Sequence, residues 1–357
     1  PGRKKGLTLR APRTILKDKG GRPRGRAETK RNDRTGDTGM KMGLGFYPST
    51  YSEDALSFAK QIGVSHIMIH IPSAEMLPSA REGYWSAEDL QALVRQVEGH
   101  GLKLEAIENF EPRHWAHILT AGPKREEQMD NVKRTIENLG KAGIPIMGYN
   151  FSLAAVAGRK MLPYARGGAI SPVYDKDADE NFDKPLPNGF VWGQQVEEAE
   201  GDMGDVSLEE MWDRYDWFMD RILPVAEAAG VKMAIHPDDP PVPVMRHVNR
   251  LMVSVDRYDE NFRRHPSPNN MVEFCQGTFT EMPYGDDYVY DAIDHFTKMQ
   301  KIAYVHFRNV RGKLPRYYEE FIDSGDVDMM RALTLYRDNG FAGMIIPDHV
   351  PTMPVKE

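Results

Sequence analysis

Short apolar runs alternate with longer stretches of helical periodicity along the chain from Met40 onward. The stretch Ser86–His100 places Leu90, Leu93 and Val97 on one helical face, because these residues recur at intervals of three and four. The runs between such stretches are short and rich in Ile, Val and Met, which is typical of buried strands. This alternation predicts βα units arranged around a parallel sheet.

Eight apolar runs fit the strand part of this pattern: Lys41–Phe46, Val64–Ile71, Leu102–Glu108, Ile144–Phe151, Val231–His236, Met271–Cys275, Ile302–Arg308 and Gly343–Pro347. Eight units favour a closed (β/α)8 barrel, the TIM barrel, over an open doubly wound sheet. No GxGxxG sequence follows the first run, which disfavours a dinucleotide-binding fold. Residues 40–357 are therefore predicted to form one α/β barrel domain.

Two stretches depart from the alternation. Residues 152–206 are rich in Gly and Pro and are predicted to be a long loop with little regular structure after the fourth strand. Loops of that length in a compact domain are usually functional lids or mobile segments. Only ten residues follow Pro347, which is short for a helix, so the final helix is predicted to be short or missing.

The first 39 residues are rich in Lys, Arg and Gly and poor in apolar residues. Such a segment cannot bury a core, so residues 1–39 are predicted to be a disordered basic extension, either natural or artefactual. A nucleic-acid-binding arm is the disfavoured alternative. The whole chain has a formal charge of -7 and 28% charged residues, which is ordinary for a globular protein and implies no macromolecular partner.

Cys275 is the single cysteine of the chain, which excludes an internal disulfide. No apolar run approaches the roughly 18 residues that a membrane span needs. Both observations favour the cytoplasm. Without a partner thiol, Cys275 is structural, nucleophilic or a metal ligand, and its neighbours must decide which.

Polar residues follow four successive predicted strands at their C-terminal ends, where barrel enzymes place their chemistry. These residues are His236, Cys275, His306 and Asp348. Neighbouring strands lie about 5 Å apart, so the four groups can converge on one ion. Two imidazoles, a thiolate and a carboxylate suit Mn2+, Fe2+, Co2+ or Zn2+, whereas Mg2+ prefers oxygen ligands. Each residue alone has a structural interpretation, but four such residues on consecutive strand ends predict a metal site.

Several segments resemble the mannonate dehydratase family between about Met40 and His349: Val225–Pro241 with its HPDDPP sequence, Cys275–Thr278, Gly148–Phe151, His306–Val310, Ser324–Met329 and Pro347–His349. The resemblance implies a barrel of the xylose isomerase type in which His236, Cys275, His306 and Asp348 bind catalytic Mn2+ or Fe2+. It also implies a hydro-lyase that removes water from D-mannonate to give 2-keto-3-deoxy-D-gluconate in hexuronate catabolism.

This reaction needs a base for the carbon-bound proton and an acid for the departing hydroxyl. His349 is the preferred acid or base, Tyr149 is a second proton donor, and Arg308 is assigned to the carboxylate or a hydroxyl of the substrate. The predicted substrate-binding residues are His70, Asn150, Asp238 and Asn309. Asp238 and Asp239 have two further interpretations, since they could orient His236 or cap the following turn.

Two alternatives remain for the function. The same metal and proton-transfer groups would serve a sugar isomerase or epimerase, and an altered first strand, Gly45–Pro48, leaves room for an inactive metal-binding homologue. The partners predicted are a small sugar acid and further copies of this chain in a homo-oligomer.

Overall fold

The computed structural model describes residues 39–353, so the predicted N-terminal extension lies outside the described residues except for Gly39. The strands of this range are β1 (Lys41–Phe46), β2 (His66–His70), β3 (Lys103–Glu108), β4 (Ile146–Tyr149), β5 (Arg159–Ala165), β6 (Ala169–Asp175), β7 (Phe190–Val191), β8 (Gln194–Gln195), β9 (Lys232–Ile235), β10 (Val244–Met245), β11 (Val248–Asn249), β12 (Asn270–Cys275), β13 (Ile302–His306), β14 (Asn309–Lys313), β15 (Arg316–Glu320) and β16 (Met344–Ile346). The helices of the same range are α1 (Glu53–Gln61), α2 (Ala87–Gly99), α3 (Pro112–Thr120), α4 (Arg125–Ala142), α5 (Leu208–Ala229), α6 (Val255–Arg264), α7 (Gln276–Glu281), α8 (Tyr288–Lys298) and α9 (Met329–Asp338).

Eight strands close into a barrel in the order β1-β16-β13-β12-β9-β4-β3-β2. Every neighbouring pair in this ring is parallel, and helices occupy the connections between the strands. Each of the eight runs predicted from the sequence overlaps one barrel strand. The predicted (β/α)8 barrel is therefore confirmed.

Side chains alternate between the inside and the outside of the barrel, because successive Cβ atoms of a strand point to opposite faces. On β12, Met271 belongs to the small apolar cluster inside the barrel, whereas Val272 and Phe274 belong to the larger cluster outside it. Glu273 and Cys275 are in phase with Met271 and face the interior. Polar groups thus occupy the inner positions toward the C-terminal end of the strand.

Helix ends are set by local side chains. Ser86 caps the predicted helix α2, and Ser207 opens α5 with a capping box in which Glu210 accepts a hydrogen bond from the Ser207 backbone N–H at 2.7 Å. Gly230 ends α5 with a φ of 70°, a left-handed conformation that costs glycine little. Strand β9 starts two residues later and carries His236 directly beyond its end.

The long connection after β4 contains more regular structure than the sequence predicted. Strands β5 and β6 form an antiparallel hairpin that joins β14 and β15 in a four-stranded sheet of order β14-β15-β6-β5. The prediction of little regular structure in residues 152–206 was wrong in this part. The stabilising partner, β15, comes from a distant part of the chain, which local sequence patterns do not reveal.

Two further expectations concern helices. Strand β16 is the last element among the described residues, which end at Met353, and the short or missing final helix stays a prediction. In the part of the chain that the structure describes, no helix combines the length and the apolar character required to cross a membrane.

Candidate active site

The predicted metal ligands converge at the C-terminal rim of the barrel. Ligand atoms of His236, Cys275 and His306, all three buried, lie within 4.8 Å of one another. The register explains this, since Cys275 and His306 are directly paired on β12 and β13. The carboxylate of Asp348 joins them, with Oδ2 at 3.8 Å from the Cys275 Sγ and 3.5 Å from the His306 Nδ1.

The electrostatic surroundings of Cys275 favour a thiolate. Burial raises the pKa of the thiol, but Arg308 and His236 outweigh burial and bring it down to about 5. Burial conversely lowers the pKa of His236, while the adjacent Cys275 raises it to about 9. A deprotonated sulfur is the form that binds metals.

Carboxyl groups outnumber guanidinium groups around this rim. Six carboxyl groups with little or no exposure lie near two arginines and His306. Four of them contact Arg159 or Arg308, namely Asp239, Glu281, Glu319 and Asp348, whereas Glu108 and Glu273 contact His306. Burial is the main cause that raises the pKa of Glu273 and Glu281, and the neighbouring carboxylates Glu108 and Asp239 add to it.

This donor set fits a divalent metal. The His306 Nδ1 is buried and has no hydrogen-bond partner of normal geometry among the described residues, although it faces Asp348. A buried nitrogen without a partner is costly, and a cation at this point would accept its lone pair and offset the excess of carboxylates. The residues are therefore consistent with a divalent cation, and their softness favours a transition metal over Mg2+.

Arg308 forms ion pairs with several carboxylates. Its Nε donates to Asp348 Oδ2 at 2.9 Å, and its terminal nitrogens donate to Glu281 at 2.7 Å and Asp239 at 2.8 Å. With its side chain 1% exposed, Arg308 has little donor capacity left for a substrate. Arg308 thus holds Asp348, and because it also lines the candidate cavity, its role toward the substrate stays a prediction.

A cavity of about 240 Å3 opens above the predicted metal ligands. Its walls include Tyr47, His70, Asn150, Arg159, Trp192 and His349. The side chain of His349 is 29% exposed and its Nδ1 lies 2.9 Å from Glu319 Oε1. Burial lowers the pKa of His349, but Asp348 and Glu319 outweigh it and raise the pKa above the ordinary value. The Glu319 contact thus fixes the ring of His349, which lines the cavity.

On the opposite wall, the ring of His70 packs against Tyr47 with a centroid distance of 4.7 Å, and its Nε2 lies 3.2 Å from the Asn109 side-chain amide. Burial outweighs the nearby Glu108 and lowers the pKa of His70, which favours the neutral form of this imidazole. Asn150 donates to the carbonyl groups of His236 and Pro237, while its buried Oδ1 has no hydrogen-bond partner among the described residues.

Tyr149 does not reach this cavity, so its prediction as a proton donor was wrong. The residue is fully buried in the layer outside the barrel, where its hydroxyl lies 3.0 Å from that of Tyr215. Gly148 on β4 and Asn150 directly after its end face the barrel interior instead. The alternation of a strand forces Tyr149 outward.

Asp238 and Asn309 also serve the scaffold instead of the substrate. Asp238 accepts hydrogen bonds from the Arg250 guanidinium at 2.9 Å and from the backbone N–H of Met252, so it orients the loop and not His236. The Asn309 amide donates to the carbonyls of Ile322 and Val327 at 3.0 Å. Both side chains are saturated away from the cavity.

Sequence inspection missed Glu108 and Glu273 and assigned no role to Arg159. Glu273 shares the inner face of β12 with Cys275, which strand alternation could have revealed, whereas β3, which ends at Glu108, carries no predicted ligand. Arg159 comes from the hairpin after β4, for which no local signal exists. A larger hollow of about 420 Å3 elsewhere, lined by Arg113, His117 and Arg214 among others, lacks this concentration of metal-type donors.

A closed parallel barrel with imidazole, thiolate and carboxylate groups at its C-terminal rim is typical of barrel enzymes that bind a divalent metal ion. The family model of D-mannonate dehydratase (UxuA) matches residues 40–357. The chain belongs to the mannonate dehydratase family.

Curated relatives agree with this assignment. The chain is 30% identical over 279 residues to mannonate dehydratase 2 of Halalkalibacterium halodurans, covering 75% of this chain and 79% of that protein. It is 33% identical over 276 residues to mannonate dehydratase of Streptococcus equi subsp. zooepidemicus, covering 74% of each.

Solved structures show the same fold. The crystal structure of mannonate dehydratase from Streptococcus suis serotype 2 is similar with a TM-score of 0.72 and 27% identity, covering 87% of this chain and 84% of that one. A xylose isomerase domain protein from Planctomyces limnophilus has a TM-score of 0.53 and 14% identity, covering 88% of this chain and 91% of that one. An L-ribulose 3-epimerase also has a TM-score of 0.53 and 14% identity, covering 88% and 82%. The last two likenesses concern the fold alone.

Proposed function

We propose that the protein is a hydro-lyase that removes water from D-mannonate to form 2-keto-3-deoxy-D-gluconate. Membership of the mannonate dehydratase family supports this proposal, and the convergence of His236, Cys275, His306 and Asp348 at the barrel rim is the structural observation that carries it. The likeness to sugar epimerases is limited to the fold, so it does not favour the isomerase alternative.

His236, Cys275, His306 and Asp348 would hold one divalent transition metal, for which Mn2+ or Fe2+ is proposed. When bound, such an ion supplies Lewis-acid stabilisation for the negative charge that develops on the substrate carboxylate. Arg308 holds Asp348 through a 2.9 Å hydrogen bond and so keeps that carboxylate at the rim.

Two imidazoles on the cavity walls are proposed to move the protons. His349 is held by Glu319 and is the proposed acid that protonates the departing hydroxyl, which leaves as water. His70 is the proposed base that accepts the proton from the carbon next to the carboxylate. Their different surroundings support this division, because one imidazole faces two carboxylates and the other is kept neutral by burial.

Two further side chains are proposed to contact the sugar acid. The buried Asn150 Oδ1 can accept a hydrogen bond from a substrate hydroxyl. Arg159, which lines the cavity and keeps 15% side-chain exposure, is the more accessible guanidinium and can donate to the substrate carboxylate.

The test is incubation of Mn2+-loaded protein with D-mannonate, with the 2-keto-3-deoxy acid product followed by assay. His236→Ala should lose both metal and activity, whereas His349→Asn should keep the metal and lose roughly 100-fold or more in kcat. Metal-loaded wild-type protein that forms no dehydrated product would overturn the proposal. Interconversion of ketoses by the same protein would support the isomerase alternative.

A further inference from the structure

Two buried carboxyl groups lie inside the barrel below the metal-type donors, and the proposed reaction does not use them. Glu108 ends β3, and Glu273 lies on β12 two residues before Cys275. With His306 they form a second group of ligand-type atoms, all within 4.8 Å of one another. Their position decides which ring nitrogen of His306 carries a proton.

His306 turns its two ring nitrogens toward opposite sides. Nε2 lies 2.9 Å from Glu108 Oε2 and 3.2 Å from Glu273 Oε1. Nδ1 faces the rim, with Asp348 Oδ2 at 3.5 Å and no hydrogen bond of normal geometry. An ionised carboxylate oxygen only accepts hydrogen bonds, so the 2.9 Å contact requires the proton on Nε2. In the neutral ring, the lone pair is then on Nδ1.

We propose that Glu108, with Glu273 beside it, is a positioning residue that holds His306 in the Nε2–H tautomer and presents Nδ1 to the metal. This inference rests on the metal site proposed above. His236 has the reverse arrangement, because its Nδ1 lies 2.6 Å from the Pro237 carbonyl and donates to it. The two imidazoles therefore meet the metal through different nitrogens.

The surroundings of Glu108 are built to keep the carboxylate in place. The Tyr304 hydroxyl donates to Glu108 Oε2 at 2.9 Å. Gly148 leaves the space that both carboxyl groups need, since a Cβ there would lie 2.5 Å from Glu273 Oε2. A carboxylate that accepts from the distal nitrogen of a metal-binding imidazole fixes the ring and raises its basicity.

The first test measures the position of the proton directly. Protein with 15N-labelled histidine rings is loaded with diamagnetic Zn2+, and two-bond 1H–15N correlation spectra identify the protonated nitrogen. The His306 signal, assigned by its loss in His306→Gln, should show the proton on Nε2 and the metal on Nδ1. A proton on Nδ1 of the loaded protein would overturn the inference.

The second test compares Mn2+ affinities, with free Mn2+ measured by electron paramagnetic resonance. Glu108→Gln should bind about 10–100-fold more weakly than wild type. Glu105→Gln, on the same strand but paired with Lys41 at 2.6 Å, is the matched control and should bind as wild type does. Circular dichroism verifies that both variants fold.

The two possible failures are distinguishable. Equal Mn2+ affinity of Glu108→Gln and wild type would overturn the role of Glu108 and leave the metal site standing. Absence of Mn2+ and Zn2+ binding by the wild-type protein would overturn the metal site itself, and this inference with it.

Discussion

The position of Arg308 depends on a residue without a side chain. A Cβ at Gly277, in the first turn of α7, would lie 2.6 Å from the Arg308 guanidinium carbon. That guanidinium holds Asp348 and lies between Glu281 and Asp239. The absence of a side chain at Gly277 therefore leaves room for the Arg308 guanidinium, which in turn holds the proposed metal ligand Asp348.

Gly277→Ala should displace Arg308 and weaken its hydrogen bond to Asp348. We expect a loss of about 1–3 kcal/mol in the free energy of unfolding, typical of overpacking, together with weaker Mn2+ binding. Urea unfolding and metal titration measure the two effects. Gly285→Ala is the control, because a Cβ at Gly285 meets nothing within 4 Å. Equal effects of both substitutions would contradict the packing argument.

Inner and outer faces decide function at the scale of the strand. At the end of β4, Gly148 and the following Asn150 face the barrel interior, while Tyr149 packs against Tyr215 and Phe218 on the outside. The motif that contains these residues is similar to the family's, but the motif alone does not show which side chain faces the active site. The two-residue periodicity of a strand does show it, once one inward-facing residue is known.

Tyr149→Phe should leave catalysis intact, because the hydroxyl lies outside the barrel. The lost hydrogen bond to Tyr215 should lower the free energy of unfolding by about 1 kcal/mol. Steady-state kinetics with D-mannonate and thermal unfolding check both parts. Tyr215→Phe, which removes the other hydroxyl of the pair, should match it; a large loss of kcat in Tyr149→Phe alone would restore a catalytic role for this residue.

The whole molecule brings charged groups from distant segments to one rim. Arg159 from the hairpin after β4 lies 2.8 Å from Glu319 on β15, and Glu319 in turn contacts His349 beyond β16. Asp239 joins them through Arg308 at 2.8 Å. The four-stranded sheet therefore completes a buried charge network that the barrel alone would lack.

Asp239 makes the stability of this network depend on pH. Burial raises its pKa, but Arg159 and Arg308 outweigh burial and hold the pKa well below its ordinary range. Because the folded-state pKa is depressed, the carboxylate stabilises the fold above the unfolded value of about 3.9, and this contribution is lost as the pH falls below it.

Asp239→Asn should therefore lower the free energy of unfolding by about 1.5–3 kcal/mol near neutral pH, because it removes the ionised acceptor of the Arg308 hydrogen bond. The difference from wild type should shrink as the pH falls below about 4. Urea unfolding over a pH series measures it. A difference that stays constant down to about pH 3 would contradict the assigned pKa shift.

Metal removal should destabilise the whole barrel, because the proposed ligands tie together four strand ends. Free Mn2+ at about 1,000 times its dissociation constant should add about 4 kcal/mol to the free energy of unfolding. Differential scanning fluorimetry with Mn2+ and with a chelator measures the shift in Tm. His236→Ala should show little shift; an equal shift in that variant would point to metal binding elsewhere.

The sequence by itself determined the alternation of elements, the eight strands, and the polar residues at the strand ends, because these depend on periodicity and neighbouring residues. Only the tertiary structure decided which inner residues meet. The pair His306–Glu108 spans 198 positions, and Arg159–Glu319 spans 160. Such contacts follow from barrel closure and from the pairing of β6 with β15. The tertiary structure also decided that Tyr149 faces outward and that Arg308 is paired with several carboxylates, because the partners of both residues lie far along the chain.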